Sequence, residues 1–309
     1  MKTLFDSVLI CLNSDSWPIR DSACVPMGRI LQHVSTVHAE KDQVIGEDFN
    51  RVLELLTVHL QDSIYSIRQH AAEALACILR SQCTYVAQSA YRVVHEHLNQ
   101  HLLRALQQGE KERTKLQFIP PSLFANMTLS SSSSAATNKS YRQTASKWGC
   151  GLDCAVGLDC NAERISGVCD WEASEGCIYM VKELLQIYPG DFNKVWNDVY
   201  QLGNVSNFKE YHRLRTTFYA QLPEIFSCID KVDKKKGLCE ELICRMAMDI
   251  TSSRSVISDY DGASNLMTEE AALCFKRLCD QMGSTVVYSR IPDEALRGLV
   301  ARKLSVDTW

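Results

Sequence analysis

Asp62-Ser63-Ile64-Tyr65-Ser66-Ile67-Arg68-Gln69-His70-Ala71 can be laid over Ser14-Asp15-Ser16-Trp17-Pro18-Ile19-Arg20-Asp21-Ser22-Ala23 at a shift of 48 positions. Ile19-Arg20 then falls on Ile67-Arg68, Ala23 on Ala71, Ile30-Leu31 on Ile78-Leu79 and Leu12 on Leu60. A chain that repeats itself at a period of this size builds one supersecondary unit several times over. Each copy reads as helix, short polar turn, helix. Val52, Leu53, Leu55, Leu56, Val58 and Leu60 supply a broad apolar stripe before the turn. Ile67, Ala71, Ala74, Leu75 and Ile78 recur at spacings of three and four after it, which marks one buried helical face. Asp62-Ser63 is placed to close the first helix and cap the second. Pro18 suits a first helical turn, where its missing N–H costs nothing.

At these residues the chain resembles the HEAT/armadillo-type helical repeat family. The family pattern is an acidic turn residue, then a β-branched residue and an arginine five and six places on, then alanine. Asp62, Ile67, Arg68 and Ala71 match it. Asp15, Ile19, Arg20 and Ala23 match less closely, with Ser14 where the acid belongs and Asp15 one place late. The motif covers roughly the first 80 residues, and helical rhythm alone extends it. The resemblance implies that Arg20 and Arg68 pair with the turn acid between adjacent repeats. It also implies an all-α fold, an α-solenoid of HEAT-like helix pairs that acts as a scaffold or adaptor.

Composition agrees with long helices. The 309 residues are 46% hydrophobic and include only 14 glycines and 7 prolines. The net charge of −4 gives no support for nucleic acid as the main partner. No leader peptide is visible, because Asp6 interrupts the apolar run at once. No stretch is long and apolar enough to span a membrane. The 14 cysteines are therefore expected as reduced thiols in the cytoplasm, with the nucleus open as an alternative. The sequons at Asn126 and Asn138 are expected to be unused.

A third unit begins at Thr84, with a stripe of Val86, Tyr91, Val94, Leu98, Leu102, Leu103 and Leu106 ending near Gln108. Gly109-Glu110-Lys111-Glu112-Arg113 reads as a charged break, Pro120-Pro121 cannot lie inside a helix, and Ser130–Ser134 is a serine run open to phosphorylation. The expected domains are 1–108 (HEAT-like repeats), 109–165 (a long disordered insertion) and 166–309 (further helical repeats). Glu175-Gly176-Cys177-Ile178 resembles Ser22-Ala23-Cys24-Val25, so Thr84–Gln108 and Asp170–Tyr188 are read as one repeat split by the insertion. Helices follow at Phe192–Tyr200, at Phe208–Cys228 with Pro223 bending or ending it, at Leu238–Ile250, at Thr268–Met282 and at Asp293–Leu304. Ser284–Tyr288 is the one strand candidate, and about five helix pairs result. The apolar run Leu4, Phe5, Val8, Leu9 lacks the polar outer face of a capping repeat, which suits a piece of a longer array or an end that docks on a partner.

Among groups with chemistry, Cys150, Cys154, Cys160, Cys169 and Cys177 form the densest cluster. Four thiolates suffice for a structural zinc site, but no C-x-x-C knuckle occurs. Gly151-Leu152-Asp153-Cys154 is also duplicated as Gly157-Leu158-Asp159-Cys160, which explains two of the cysteines without metal. His97 and His101 share a helical face beside His95, with Glu96 pointing elsewhere, and are expected as exposed histidines. Lys234-Lys235-Lys236 reads as a solvated turn. No phosphate loop, dinucleotide fingerprint or nucleophile elbow is present. The expectation is a non-enzymatic protein–protein scaffold with no cofactor and no metal, and with other proteins as partners. A regulatory subunit of a large assembly of phosphatase, proteasome or transport type, or a zinc- or thiol-dependent activity at the cysteines, stand as the alternatives.

Overall fold

In the computed structural model, residues 2–33, 43–117, 170–206, 210–252 and 263–306 are described, and these are helical with no strand among them. The first helix pair is α1 (Lys2–Leu12) and α2 (Trp17–Gln32), and the second is α3 (Gln43–His59) and α4 (Tyr65–Leu79). Then come α5 (Thr84–His101), α6 (Arg104–Gln117) and α7 (Asp170–Ile187). A 3-10 turn at Pro189–Asp191 leads into α8 (Phe192–Leu202), followed by α9 (Tyr211–Cys228) and α10 (Lys231–Gly237). The chain continues through α11 (Glu240–Thr251), α12 (Ala263–Met282), α13 (Ser284–Tyr288) and α14 (Glu294–Val306). No described helix is long and apolar enough to cross a membrane.

Five helices pack in succession: α2 on α4, α4 on α7, α7 on α9, and α9 on α12. Most of the others lie against this row, α1 on α2, α3 and α5 on α4, α6 on α7, and α11 and α13 on α12, while α14 packs on α11 and α10 on α8. One apolar core runs through all of them, from Leu9 to Leu304. Two glycines set how closely the row packs. A Cβ on Gly28 of α2 would stand 2.6 Å from the Cα of Ala74 in α4. A Cβ on Gly176 of α7 would overlap the carbonyl oxygen of Leu60 at the end of the second pair's first helix. Small residues let backbones meet here, Gly28 against Ala74 and Gly176 against Leu60.

Several expectations need correction. The charged run at Gly109 is no break, because α6 runs through it and Gly109 is buried. Helix-interior glycine costs only about 1 kcal/mol relative to alanine, which the packing of α6 on α7 outweighs. The chain turns earlier, at Leu102-Leu103. There the buried Ser174 hydroxyl of α7 donates to the His101 carbonyl (3.2 Å) and accepts from the Ala105 N–H (2.9 Å), so both backbone groups at the turn stay satisfied. Asp62 does not cap α4. Its carboxylate accepts from the Ile64 N–H (2.9 Å) and shapes the turn before that helix. Pro223 sits inside α9 without ending it.

The strand candidate Ser284–Tyr288 is the short helix α13. Gly283, at φ +92°, turns the chain sharply after α12, and the following residues bury Val287 and set Tyr288 edge-on to Phe275 at 5.1 Å. Among the described residues no strand is available to pair with such a segment, and a helical turn satisfies its backbone locally. The three lysines at 234–236 close α10, where positive charge suits the helix C-terminus. Thr84–His101 and Asp170–Ile187 pack directly on one another. Most of the expected insertion, from residue 118 to 165, falls outside the described residues, as does the serine run.

Two glycine-to-alanine changes should move stability in opposite directions. Gly176→Ala forces backbone apart and should cost about 1–3 kcal/mol. Gly298→Ala, exposed in α14 with nothing within 4 Å, should gain about 0.5–1 kcal/mol. Urea unfolding of the two variants beside the parent checks both signs.

Candidate functional site

The repeated isoleucine–arginine step places each arginine in the first turn of its helix, directed back toward the preceding turn. Arg20 donates through Nη1 to the carbonyls of Ser14 (2.9 Å) and Asp15 (2.8 Å), and through Nη2 to the Asp62 carboxylate (3.0 Å) of the next pair. Arg68 repeats this one unit on. Its Nη1 donates to the Asp62 carbonyl, and its Nη2 is paired with the Glu175 carboxylate on α7. Asp62 thus serves both arginines, by side chain toward α2 and by backbone toward α4.

Of the other motif residues, Ala23, Ile67 and Ala71 are buried while Ile19 is 44% exposed. Asp15 contributes its backbone carbonyl to Arg20.

A third pair of the same construction was not singled out by motif. Arg215 on α9 donates through Nη1 to both Asp249 oxygens (3.0 and 2.9 Å) and through Nη2 to the Val205 carbonyl (2.7 Å) in the turn before its own helix. The Tyr219 hydroxyl also donates to Asp249 (2.6 Å). Burial, and then the Asp249 charge, push that hydroxyl well above the usual tyrosine value, so it stays a donor. Leu214-Arg215 repeats the aliphatic–arginine step, and this was the available signal. Glu175 is also shared, accepting from the Thr217 hydroxyl of α9 at 2.6 Å. The guanidiniums of Arg68 and Arg215 lie over the rings of Trp171 (5.6 Å) and Tyr211 (5.1 Å), a favourable place for a cation leaving water.

The histidines divide. His95 bonds to Asp191 (3.1 Å), which also accepts from the Tyr91 hydroxyl (2.9 Å) and from Lys194 (2.6 Å). Burial alone raises the Asp191 carboxyl, and these three hydrogen bonds outweigh it, so the net shift is downward. The cluster fastens α5 to the turn before α8. His97 and His101 correct the expectation of exposed histidines, since both are buried, with ring centroids 4.3 Å apart. Among the described residues, His97 Nε2 and His101 Nδ1 find no hydrogen-bond partner. Desolvation first, then the neighbouring His101 and Arg104, push His97 down to about 3, and His101 also shifts down. Both are therefore neutral near pH 7. Glu96 is exposed and bonds to Gln100.

Cys150, Cys154, Cys160 and Cys169 lie outside the described residues. Cys177 is fully buried in α7, and burial pushes its thiol well up. Among the described residues no three His, Cys, Asp or Glu groups converge as metal ligands.

Two open grooves mark the described surface. One, at the end of α1, is floored by Leu9, Ile10 and Ile19. The other, of about 610 Å³, runs between α8 and the start of α11. Trp196 and Tyr200 form one wall, with Trp196 stacked on Phe192 (5.0 Å) and braced by Phe226 (5.3 Å). Glu240 and Glu241 stand exposed opposite, and the Tyr200 hydroxyl donates to Glu241. Lys236 also lines the groove and is paired with Asp233 (3.6 Å), so the aromatic wall and the two carboxylates, which outnumber that one cation, suit a cationic side chain with an aliphatic stem.

No protein-family profile matches the chain, and no curated protein matches it in sequence. A solved structure, the crystal structure of an engineered protein from the Northeast Structural Genomics Consortium, aligns over 97% of each chain at 10% identity. Its TM-score of 0.33 carries no argument about fold or function.

Two outcomes test this geometry. Arg215→Met strands the buried Asp249 charge and should cost about 3–5 kcal/mol in urea unfolding. The His97 pair should make the fold acid-sensitive. The unfolded chain takes up a proton near the ordinary value of 6.5, but folded His97 does not until about 3. Stability is full above pH 6.5 and is lost as pH falls below it. His97→Leu should flatten the urea midpoint between about pH 4 and 6.5.

Proposed function

We propose that this chain is a non-enzymatic protein–protein interaction scaffold whose helix pairs stack as HEAT-like repeats in an α-solenoid. The observation that carries this reading is the repeated arginine arrangement. Arg20 binds its own turn and the turn acid Asp62 of the next pair, the linkage the family pattern implies, while Arg68 binds its own turn and, in place of a turn acid, Glu175 within α7. Stacked units of this kind share one continuous core and present a long surface, on which partners bind by shape and charge.

The groove of Trp196, Tyr200, Glu240 and Glu241 is the contact point best suited to that role. It is open, partly apolar and already shaped, so little ordering is needed on binding. The partner it favours is a protein segment carrying lysine or arginine. Binding there involves no covalent step.

Affinity purification of the full chain beside a Glu240→Lys variant tests the reading. Glu240 is exposed, so the substitution should leave the fold intact. A partner retained in stoichiometric amount by the parent, and bound about tenfold more weakly by the variant, is the expected result. A chain that retains no protein at stoichiometry contradicts the scaffold role.

A further inference from the structure

Trp196 and Tyr200 stand one turn apart on α8 and line the groove from one side. Trp196 is stacked on Phe192 at 5.0 Å, with 23° between the planes, and Phe226 lies against it at 5.3 Å. Tyr200 continues the wall, 6.4 Å from Trp196 and tilted by 37°. Among the described residues the aromatic lining is therefore one wall and not a cage. Across from it lie Glu240 and Glu241, both exposed at the start of α11. The Tyr200 hydroxyl donates to Glu241 and so joins the two sides. Glu240 is in no ion pair among the described residues.

Arginine and lysine need different things of such a place. An ammonium is compact and strongly hydrated, and it gains most when rings enclose it on several sides. A guanidinium is planar and weakly hydrated. It can lie flat on one ring while its N–H fork reaches sideways to carboxylate oxygens. The interior of this protein uses that arrangement twice. Arg68 lies over Trp171 (5.6 Å) with Nη2 on Glu175, and Arg215 over Tyr211 (5.1 Å) with Nη1 on Asp249. Both arginines are buried. Lys194 makes the corresponding approach to Tyr91 and Asp191, but it stays 6.0 Å from the ring with its side chain 61% exposed. The groove's own ammonium also stays out in water. Lys236 lines the groove and is exposed, yet among the described residues it pairs with Asp233, one turn back on α10, and not with Glu240 or Glu241.

We propose that the groove between α8 and α11 is an arginine pocket, in which a guanidinium from a partner protein's segment stacks on Trp196 and Tyr200 and donates to Glu240 and Glu241. This rests on the scaffold reading above and narrows its cationic partner to arginine. Two carboxylates against Lys236 leave the groove negative, so the charge favours the same occupant. Tyr200 is a positioning residue as well as part of the wall. Its hydroxyl holds Glu241 beside the rings, so that one flat cation meets ring and carboxylate together.

Two short peptides test the pocket on the full, isotope-labelled chain by NMR: acetyl-Gly-Ser-Arg-Ser-Gly-amide and its lysine counterpart. The signal to follow is the Trp196 indole N–H, assigned with Trp196→Phe. The arginine peptide should shift it, with an affinity at least about fivefold above that of the lysine peptide. Glu240→Gln, at an exposed position, should weaken the arginine peptide about tenfold with the helical circular dichroism unchanged. Tyr200→Phe should keep the lysine affinity and lower the preference for arginine, which a loss of packing alone would not do. Equal or tighter binding of the lysine peptide overturns the arginine pocket and leaves the cationic-partner reading in place. An indole signal that neither peptide moves overturns both the pocket and the choice of this groove, while the scaffold role is decided separately by the affinity purification.

Discussion

Three buried arginines, Arg20, Arg68 and Arg215, tie the helices of this protein together. Each guanidinium reaches the backbone carbonyls of the turn that leads into its own helix and a carboxylate beyond it. The planar, multiply donating head of arginine makes this double attachment possible, and lysine has no equivalent geometry. The turn, the helix and the neighbouring unit are thereby locked in one relative position. The close approaches at Gly28 and Gly176 depend on that position, because a backbone-to-backbone fit tolerates no slippage.

Such pairs are costly ways to hold a fold together. Taking both charges out of water costs several kcal/mol per ion, and apolar side chains of equal volume would often hold as well. What a buried pair adds is register. Every other packing of α4 on α7 leaves Arg68 or Glu175 without its partner in an apolar surrounding, where stranded charge is worst. The buried histidines follow the opposite logic. His97 and His101 are held neutral by burial, so they behave as apolar filling near pH 7 and become a liability in acid.

Much of this was legible in the sequence, and the limits have physical causes. The helical rhythm located nearly every element, because apolar spacing is a local property. Arg20 and Arg68 were legible because they sit in a repeated ten-residue stretch. Their partners were harder to find. Glu175 lies 107 residues from Arg68, and nothing local to Trp171–Ile178 announces a buried carboxylate. Arg215 and Asp249 escaped because Phe218 stands where the motif has alanine, and the turn holding Val205 is longer than the others. The charged run after Gly109 was misread because exposed helix faces are themselves charged, so polarity alone does not mark a break. His97 and His101 were placed outside because helical spacing alone does not tell which face of α5 its neighbours cover.

The central claim is that the arginine–carboxylate pairs couple successive units. A double-mutant cycle across Arg68→Met and Glu175→Gln, read by urea unfolding, addresses it directly. Coupling on the order of 1–3 kcal/mol, with the double variant more stable than the sum of the single losses allows, is the predicted result. Strictly additive losses would contradict the account, since they would mean that Arg68 and Glu175 stabilise the fold independently of one another.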